Sequence, residues 1–126
     1  MDWEIAEEKS EEELKREWGF KENSDGTLSI LRYYGSKEKV EVPSKIGERA
    51  VNDIAAEAFS PKRYGLGLKS IAKLKNIRQI TIADGITQIG RYAFAYCENL
   101  TEVILPESVL AIDEDAFYGC KKLKRI

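Results

Sequence analysis

Two successive segments of this chain, residues 77–99 and 100–122, carry the same pattern without a gap, and this internal repeat constrains the fold most. Equivalent positions lie 23 residues apart, as Phe94 and Phe117 do, and a third copy begins at residues 123–126. A repeat of this length is one supersecondary unit that cannot bury its apolar face alone. The sequence therefore predicts units that stack on their neighbours around a shared core.

A degenerate earlier copy is predicted over residues 40–76. Residues 40–43 match the strand pattern of the later copies, and residues 54–59 match the stretch that ends in alanine and phenylalanine. Between these two parts the copy carries five extra residues, roughly 45–49. Further on, the spacing of Leu68, Ile71 and Leu74 predicts a short helical turn or a distorted strand.

The first 19 residues are acidic and predict an N-terminal helix or linker, residues 1–19. Ser10 followed by Glu13 forms the pattern of a capping box, which marks a helix start. Leu14 and Trp18 are one helical turn apart, and Gly19 predicts a left-handed helix end.

Residues 20–39 predict a β-hairpin that caps the first repeat, so that residues 20–126 form one domain. Residues 24–26 read Ser-Asp-Gly, which is a turn signal for hairpins. Leu28, Ile30 and Arg32 alternate with Ser29, Leu31 and Tyr33, which predicts a partly amphipathic second strand.

Composition excludes several functional classes. The chain has 126 residues and a net charge of −2, which argues against a nucleic-acid binder. It has no apolar run long enough for membrane insertion. It has no histidine, so a Ser-His or Cys-His catalytic pair and a histidine metal site are excluded within it. We expect no enzyme activity, no cofactor and no metal site, and we interpret the acidic residues 113–115 as a solvated turn.

The repeated pattern, with three spaced apolar residues, a proline, two further apolar residues, Ala-Phe and a closing cysteine, resembles the BspA-type leucine-rich repeats of bacterial proteins. The resemblance is close over residues 77–122 and loose over 40–59, and residues 20–39 match the hairpin that usually leads that family's repeats. It implies an α/β-type repeat solenoid that is mostly β, wound as a short right-handed coil. It also implies a binding scaffold, because the family is associated with surface adhesins and with binding of host proteins.

Strand alternation separates inward from outward positions. Within residues 100–105 the inward positions are Leu100, Val103 and Leu105, and Ile86, Ile89, Val109 and Ile112 are expected to close the opposite wall of the core. Phe94 and Phe117 are expected to stack as an interior ladder. The outward positions form the sheet face that repeat proteins commonly use for binding. Together with a basic loop, they give the candidate partner-binding residues Glu41, Gln79, Thr81, Glu102, Ile104, Lys62, Arg63 and Tyr64.

Cys97 and Cys120 occupy equivalent positions of neighbouring repeats. They could form a disulfide staple or redox switch, or they could be two buried thiols that fill the same slot. We favour the buried thiols, since stacked Cβ vectors run parallel rather than toward each other.

The sequence thus predicts a protein-interaction scaffold with an unidentified protein partner. The alternative is a structural spacer or assembly segment of a larger surface protein, with no ligand of its own. No signal peptide is recognisable, so we expect either a cytoplasmic protein or a segment of a longer bacterial surface protein. The basic residues 121–125 beside the last repeat predict a monomer or a weak homodimer, because charge at a strand edge opposes strand addition.

Overall fold

The computed structural model describes residues 9–62 and 72–126. Its one α-helix among these residues precedes short strands and a 3-10 helix. In chain order the elements are α1 (Glu11–Glu17), β1 (Trp18–Glu22), β2 (Leu28–Tyr33), β3 (Lys39–Val42), β4 (Lys45–Ile46), β5 (Arg49–Ile54), the 3-10 helix (Ala72–Asn76), β6 (Gln79–Ile82), β7 (Gln88–Ile89), β8 (Glu102–Ile104) and β9 (Ala111–Ile112).

The strands form two sheets, and each repeat contributes one strand to each of them. One sheet has the order β3-β6-β8, and the other has the order β1-β2-β5-β7-β9 with β4 paired to β5. The pairing is parallel between repeats, and it places Ile80 opposite Val103 and Ile89 opposite Ile112. This register confirms the offset of 23 residues predicted from the sequence. We call one repeat, with its strand in each sheet, a rung.

The core lies between the two sheets and continues through the rungs as a column of aromatic rings. Phe59, Phe94 and Phe117 stack with centroids 4.8 and 5.2 Å apart, which confirms the predicted ladder. Trp18 and Tyr33 extend the column beyond Phe59, at centroid distances of 5.8 and 5.9 Å from it. The hairpin strands therefore share the core of the rungs.

The N-terminal helix begins as predicted but ends earlier. Ser10 caps it, since the Ser10 hydroxyl accepts a hydrogen bond from the Glu13 amide and the Glu13 carboxylate accepts one from the Ser10 amide. The prediction that Trp18 is helical and Gly19 ends the helix is wrong, because Trp18 is extended and both residues lie in β1. Burial of the indole in the core outweighs the weak preference of this short segment for a longer helix.

The predicted hairpin is confirmed, with β1 antiparallel to β2 and a turn at Gly26, whose φ is +87°. The predicted alternation along β2 is wrong, since Leu28, Ser29 and Ile30 are all buried. The pairing of β2 with β5 shifts register between Leu28 and Ser29. The buried Ser29 hydroxyl lies 2.6 Å from a carboxylate oxygen of Asp53, which provides its hydrogen-bond partner.

The five-residue insertion of the first rung forms a short antiparallel turn. Lys45–Ile46 pairs antiparallel with the start of β5, and Gly47 turns the chain with a φ of +64°. The insertion therefore leaves β3 and β5 in the two sheets where the later rungs place their strands.

Leu74, the described member of the predicted helical turn, is buried in the 3-10 helix, whereas Leu68 and Ile71 lie outside the described residues.

Residues 123–126 begin a further strand, because Arg125 forms a parallel bridge with Glu102. Ile86 and Ile89 close the far wall as expected. Ile112 is 39% exposed, since it lies in the outermost strand of its sheet.

Candidate functional site

The outward residues of the three-stranded sheet form two rows across β3, β6 and β8. Lys39 lies opposite Gln79, which lies opposite Glu102. In the second row Glu41 lies opposite Thr81, and Thr81 lies opposite Ile104. We call these six residues the strand face: Lys39, Glu41, Gln79, Thr81, Glu102 and Ile104.

The strand face combines charge, hydrogen-bonding groups and one apolar residue. Lys39 and Glu41 are exposed, and Ile104 is 43% exposed. Adjacent strands are about 4.8 Å apart, so each row spans about 10 Å. Such a surface can contact another protein through polar groups beside one apolar residue.

The candidates of the basic loop are placed separately from the strand face. The Lys62 ammonium lies 4.2 Å from the centroid of the Tyr96 ring, a cation–π contact on the loop that follows Phe94. Arg63 and Tyr64 lie outside the described residues. Across residues 9–62 and 72–126, no group of three or more Cys, Asp or Glu side chains is arranged to hold a metal ion.

A groove that sequence reasoning missed runs between α1 and β3, with a volume of about 710 Å³. We call it the edge groove. Leu14, Glu17 and Trp18 line one wall, and Val40 and Glu41 line the other. Its formation depends on how α1 packs against the hairpin and β4, a tertiary arrangement for which the sequence holds no periodic signal.

Trp18 is the unusual residue of the edge groove. It is 1% exposed, and its indole N–H is the one buried side-chain polar group without a hydrogen-bond partner among the described residues. Leaving such a group unpaired costs about 1–3 kcal/mol. The sequence analysis placed Trp18 on the helix, so it held no signal for this site.

The two cysteines are free thiols with equivalent contacts. The Cys97 thiol lies 3.4 Å from the carbonyl oxygen of Phe59, and the Cys120 thiol lies 3.1 Å from that of Phe94. Each thiol thus donates to the carbonyl of the phenylalanine one rung earlier. Burial raises the pKa of Cys97 well above its ordinary value and raises the pKa of Cys120 to about 11. The prediction of free thiols in equivalent positions is confirmed, but only Cys97 is fully buried, because Cys120 lies in the last complete rung and is partly buried.

Parallel rungs with a repeated aromatic column define a leucine-rich repeat protein. Residues 66–126 match the family described as BspA type leucine rich repeat region (6 copies). This match confirms the BspA-type resemblance that the repeated pattern indicated for residues 77–122. No curated protein sequence matches the chain.

Two solved bacterial structures share the fold. A leucine-rich cell surface protein from Faecalibacterium prausnitzii aligns over 99% of this chain with 22% identity and a TM-score of 0.69. A leucine-rich repeat protein from Bacteroides capillosus aligns over 87% of this chain and 94% of its own length, with 21% identity and a TM-score of 0.61. The chain spans 31% of the length of the Faecalibacterium protein. In the part of the chain that the structure describes, no helix is long and apolar enough to cross a membrane.

Proposed function

We propose that this chain is a protein-interaction scaffold whose partner contacts the strand face. One observation carries the proposal: Glu41, Thr81 and Ile104 lie opposite one another on successive strands, with Glu41 and Ile104 exposed. Three strands hold these side chains at fixed spacing, so a partner meets them without ordering a flexible loop first. Lys62, Arg63 and Tyr64 of the basic loop are a second candidate contact.

The architecture we propose is a short right-handed solenoid over residues 20–126, with α1 (Glu11–Glu17) in the segment that precedes it. Each described rung gives one strand to each of two sheets, which supports a coil of this kind. The role is binding rather than catalysis, because leucine-rich repeat proteins are generally interaction or structural modules.

A second candidate is a structural segment of a larger bacterial surface protein. The fold neighbour from Faecalibacterium prausnitzii is a cell surface protein, and this chain aligns with 31% of its length. In that role the strand face would contact neighbouring parts of the same protein rather than a separate partner.

Photo-crosslinking tests the scaffold. A photoreactive amino acid is placed at position 104 in one variant and at position 75 in a control, because Lys75 is exposed and lies outside the strand face. The probes are protein mixtures prepared from bacterial and host cell surfaces. We expect a discrete protein to crosslink from position 104 and not from position 75.

The captured protein, once purified, is titrated against the wild type and Ile104→Glu. A loss of affinity of tenfold or more supports the strand face, because the substitution places a charge at the only apolar residue of the strand face. Equal crosslinking from both positions, or equal affinity of both proteins, would contradict the proposal. If neither position captures a protein, the structural segment is the better account.

A further inference from the structure

The β3 strand has one paired side and one unpaired side within the described residues. It ends its sheet, whereas the other sheet is extended past β5 by the hairpin. The carbonyl of Val42 accepts from the amide of Ala83, and the register of β3 on β6 directs the peptide groups of Val40 and Val42 to β6. The N–H and C=O groups of Lys39 and Glu41 therefore point away from β6, into the edge groove.

Helix α1 stands across the edge groove rather than covering the strand. The groove has a volume of about 710 Å³ and is lined from both sides, by Leu14 and Trp18 of the N-terminal elements and by Val40 and Pro43 of the β3 region. An open strand edge beside a groove is the geometry in which an extended peptide adds as a further strand.

One residue that lines the groove carries a buried hydrogen-bond donor without an acceptor among the described residues. Trp18 lines the groove, and its buried indole N–H has no partner among the described residues. A peptide carbonyl, seated after a small side-chain shift, is an acceptor of the required kind. This observation is independent of the strand edge and also indicates a ligand.

The unpaired charges of the groove are mostly positive. Two carboxylates are neutralised locally, because Glu17 pairs with Lys9 and Glu11 pairs with Lys15. Within the described residues, three lysines that line the groove form no salt bridge. Among the carboxylates of the lining, only that of Glu41 forms no salt bridge. These lysines are Lys37, Lys39 and Lys45. The excess favours an acidic ligand.

We propose that the edge groove binds an extended acidic peptide segment of a partner protein, which pairs with the free edge of β3 as an added strand. This site shares Lys39 and Glu41 with the strand face but uses their main-chain groups and the groove beside β3, and it does not include Gln79, Thr81, Glu102 or Ile104. It does not depend on the function proposed for the strand face.

Calorimetry and NMR on the full chain test the proposal with a defined probe. The probe is a capped octapeptide of alternating valine and glutamate, and the matched probes replace glutamate with lysine or N-methylate alternate backbone amides. We expect the acidic peptide to bind with one-to-one stoichiometry and to shift the Trp18 indole resonance and the amides of Lys39 and Glu41. Both matched probes should bind at least tenfold more weakly.

Two variants separate main-chain pairing from charge. Glu41→Pro removes an N–H that β6 does not use, so it should preserve the fold and weaken peptide binding at least tenfold. The double variant Lys39→Glu/Lys45→Glu should weaken peptide binding to a similar degree. Lys75→Glu makes the same type of substitution outside the groove and should leave peptide binding unchanged.

Unaltered affinity in Glu41→Pro, or equal binding of the N-methylated probe, would overturn the proposal. A dimer of the chain alone that Glu41→Pro dissociates would also overturn it, because a second copy would then occupy the edge. Ile104 does not line the edge groove, so Ile104→Glu tests the strand face alone. The peptide-binding proposal and the strand-face proposal can therefore fail separately.

Discussion

Phe94 is enclosed by a ring on each side in the aromatic column. It is 0% exposed and stacks on Phe59 at an interplanar angle of 15° and on Phe117 at 4°. Phe117 stacks on one side only and is partly buried. Equivalent positions in the repeat thus have different environments, because burial depends on the number of neighbouring rungs.

Truncation of the two phenylalanines should therefore have unequal effects. Phe94→Ala should lower the free energy of unfolding by about 3–5 kcal/mol, since it removes a fully buried ring and leaves a cavity. Phe117→Ala should lower it by about 1–2 kcal/mol, in line with its partial burial. Urea unfolding followed by circular dichroism measures both. Equal losses in the two variants would show that Phe117 is as enclosed as Phe94.

The two thiols should be slow to react in the folded protein. The raised pKa of Cys120, about 11 against 9.0, reduces its thiolate fraction at neutral pH by about 100-fold. Cys97 is buried and should react more slowly still. Reaction with a chromophoric disulfide reagent at about pH 8 should be at least 100-fold faster in denaturant than in buffer. A native Cys97–Cys120 disulfide found by mass spectrometry would contradict this expectation.

The same pKa shift gives stability a pH dependence. As pH rises from 9.0 toward 11, the unfolded chain releases the Cys120 proton before the folded chain does, so stability falls through this window. Below it both states are protonated and the thiol contributes no slope. Cys120→Ala should lack this part of the decline when unfolding is compared across the window.

At the scale of elements, two rungs approach each other closely at Gly90. A Cβ placed there would lie 2.8 Å from the Ala56 nitrogen and 3.0 Å from the Ile54 oxygen, and both are backbone atoms of the preceding rung. The Gly90 amide also donates to the Ile54 carbonyl at 2.9 Å. Glycine at this position lets the two rungs approach to hydrogen-bonding distance.

Gly90→Ala should separate these rungs and lower the free energy of unfolding by about 1–3 kcal/mol, the usual cost of overpacking. Gly85→Ala is the control, because its Cβ would meet no atom within 4 Å and only its φ of +101° is strained. That strain costs about 1 kcal/mol. Thermal unfolding measures the stability of both variants. If Gly90→Ala lost less stability than Gly85→Ala, the two rungs would be shown to adjust to the added methyl group without cost.

The elements predicted well from sequence are those with a repeated or local signal. The offset of 23 residues correctly predicted the register of β6 on β8. The Asp-Gly turn signal correctly predicted the hairpin. Trp18 was misassigned because helical spacing from Leu14 and strand burial in the core are both compatible with the local sequence. Only the aromatic column, a tertiary feature, decides between them.

At the scale of the whole molecule, the strand face was predictable and the edge groove was not. Alternation along each strand, together with the repeat offset, was sufficient to place Gln79 beside Glu102 and Thr81 beside Ile104. The groove requires knowledge of where α1 packs relative to β3, two elements that share no pattern. Sites built by repetition are readable from sequence, whereas sites built between unlike elements require the structure.

Large apolar side chains are exposed in the last complete rung and in the residues that follow it. Leu110 is 84% exposed and Ile126 is 62% exposed. Basic side chains lie among them, since Lys121, Lys124 and Arg125 are also exposed, while Lys122 donates to the Asn99 side chain. Apolar surface beside a strand edge promotes self-association, and charge at such an edge opposes it.

We therefore expect this chain to be a monomer or weak dimer at micromolar concentration. The triple variant Lys121→Thr/Lys122→Thr/Lys124→Thr should associate more strongly, because it removes like charges that repel a second copy while retaining Leu110 and Ile126. Sedimentation velocity over a range of concentrations measures the change, with Lys15→Thr/Lys21→Thr/Lys75→Thr as a variant of equal net charge altered elsewhere. A tight wild-type dimer, or equal association of the two variants, would show that the basic residues 121–125 do not protect this end of the molecule.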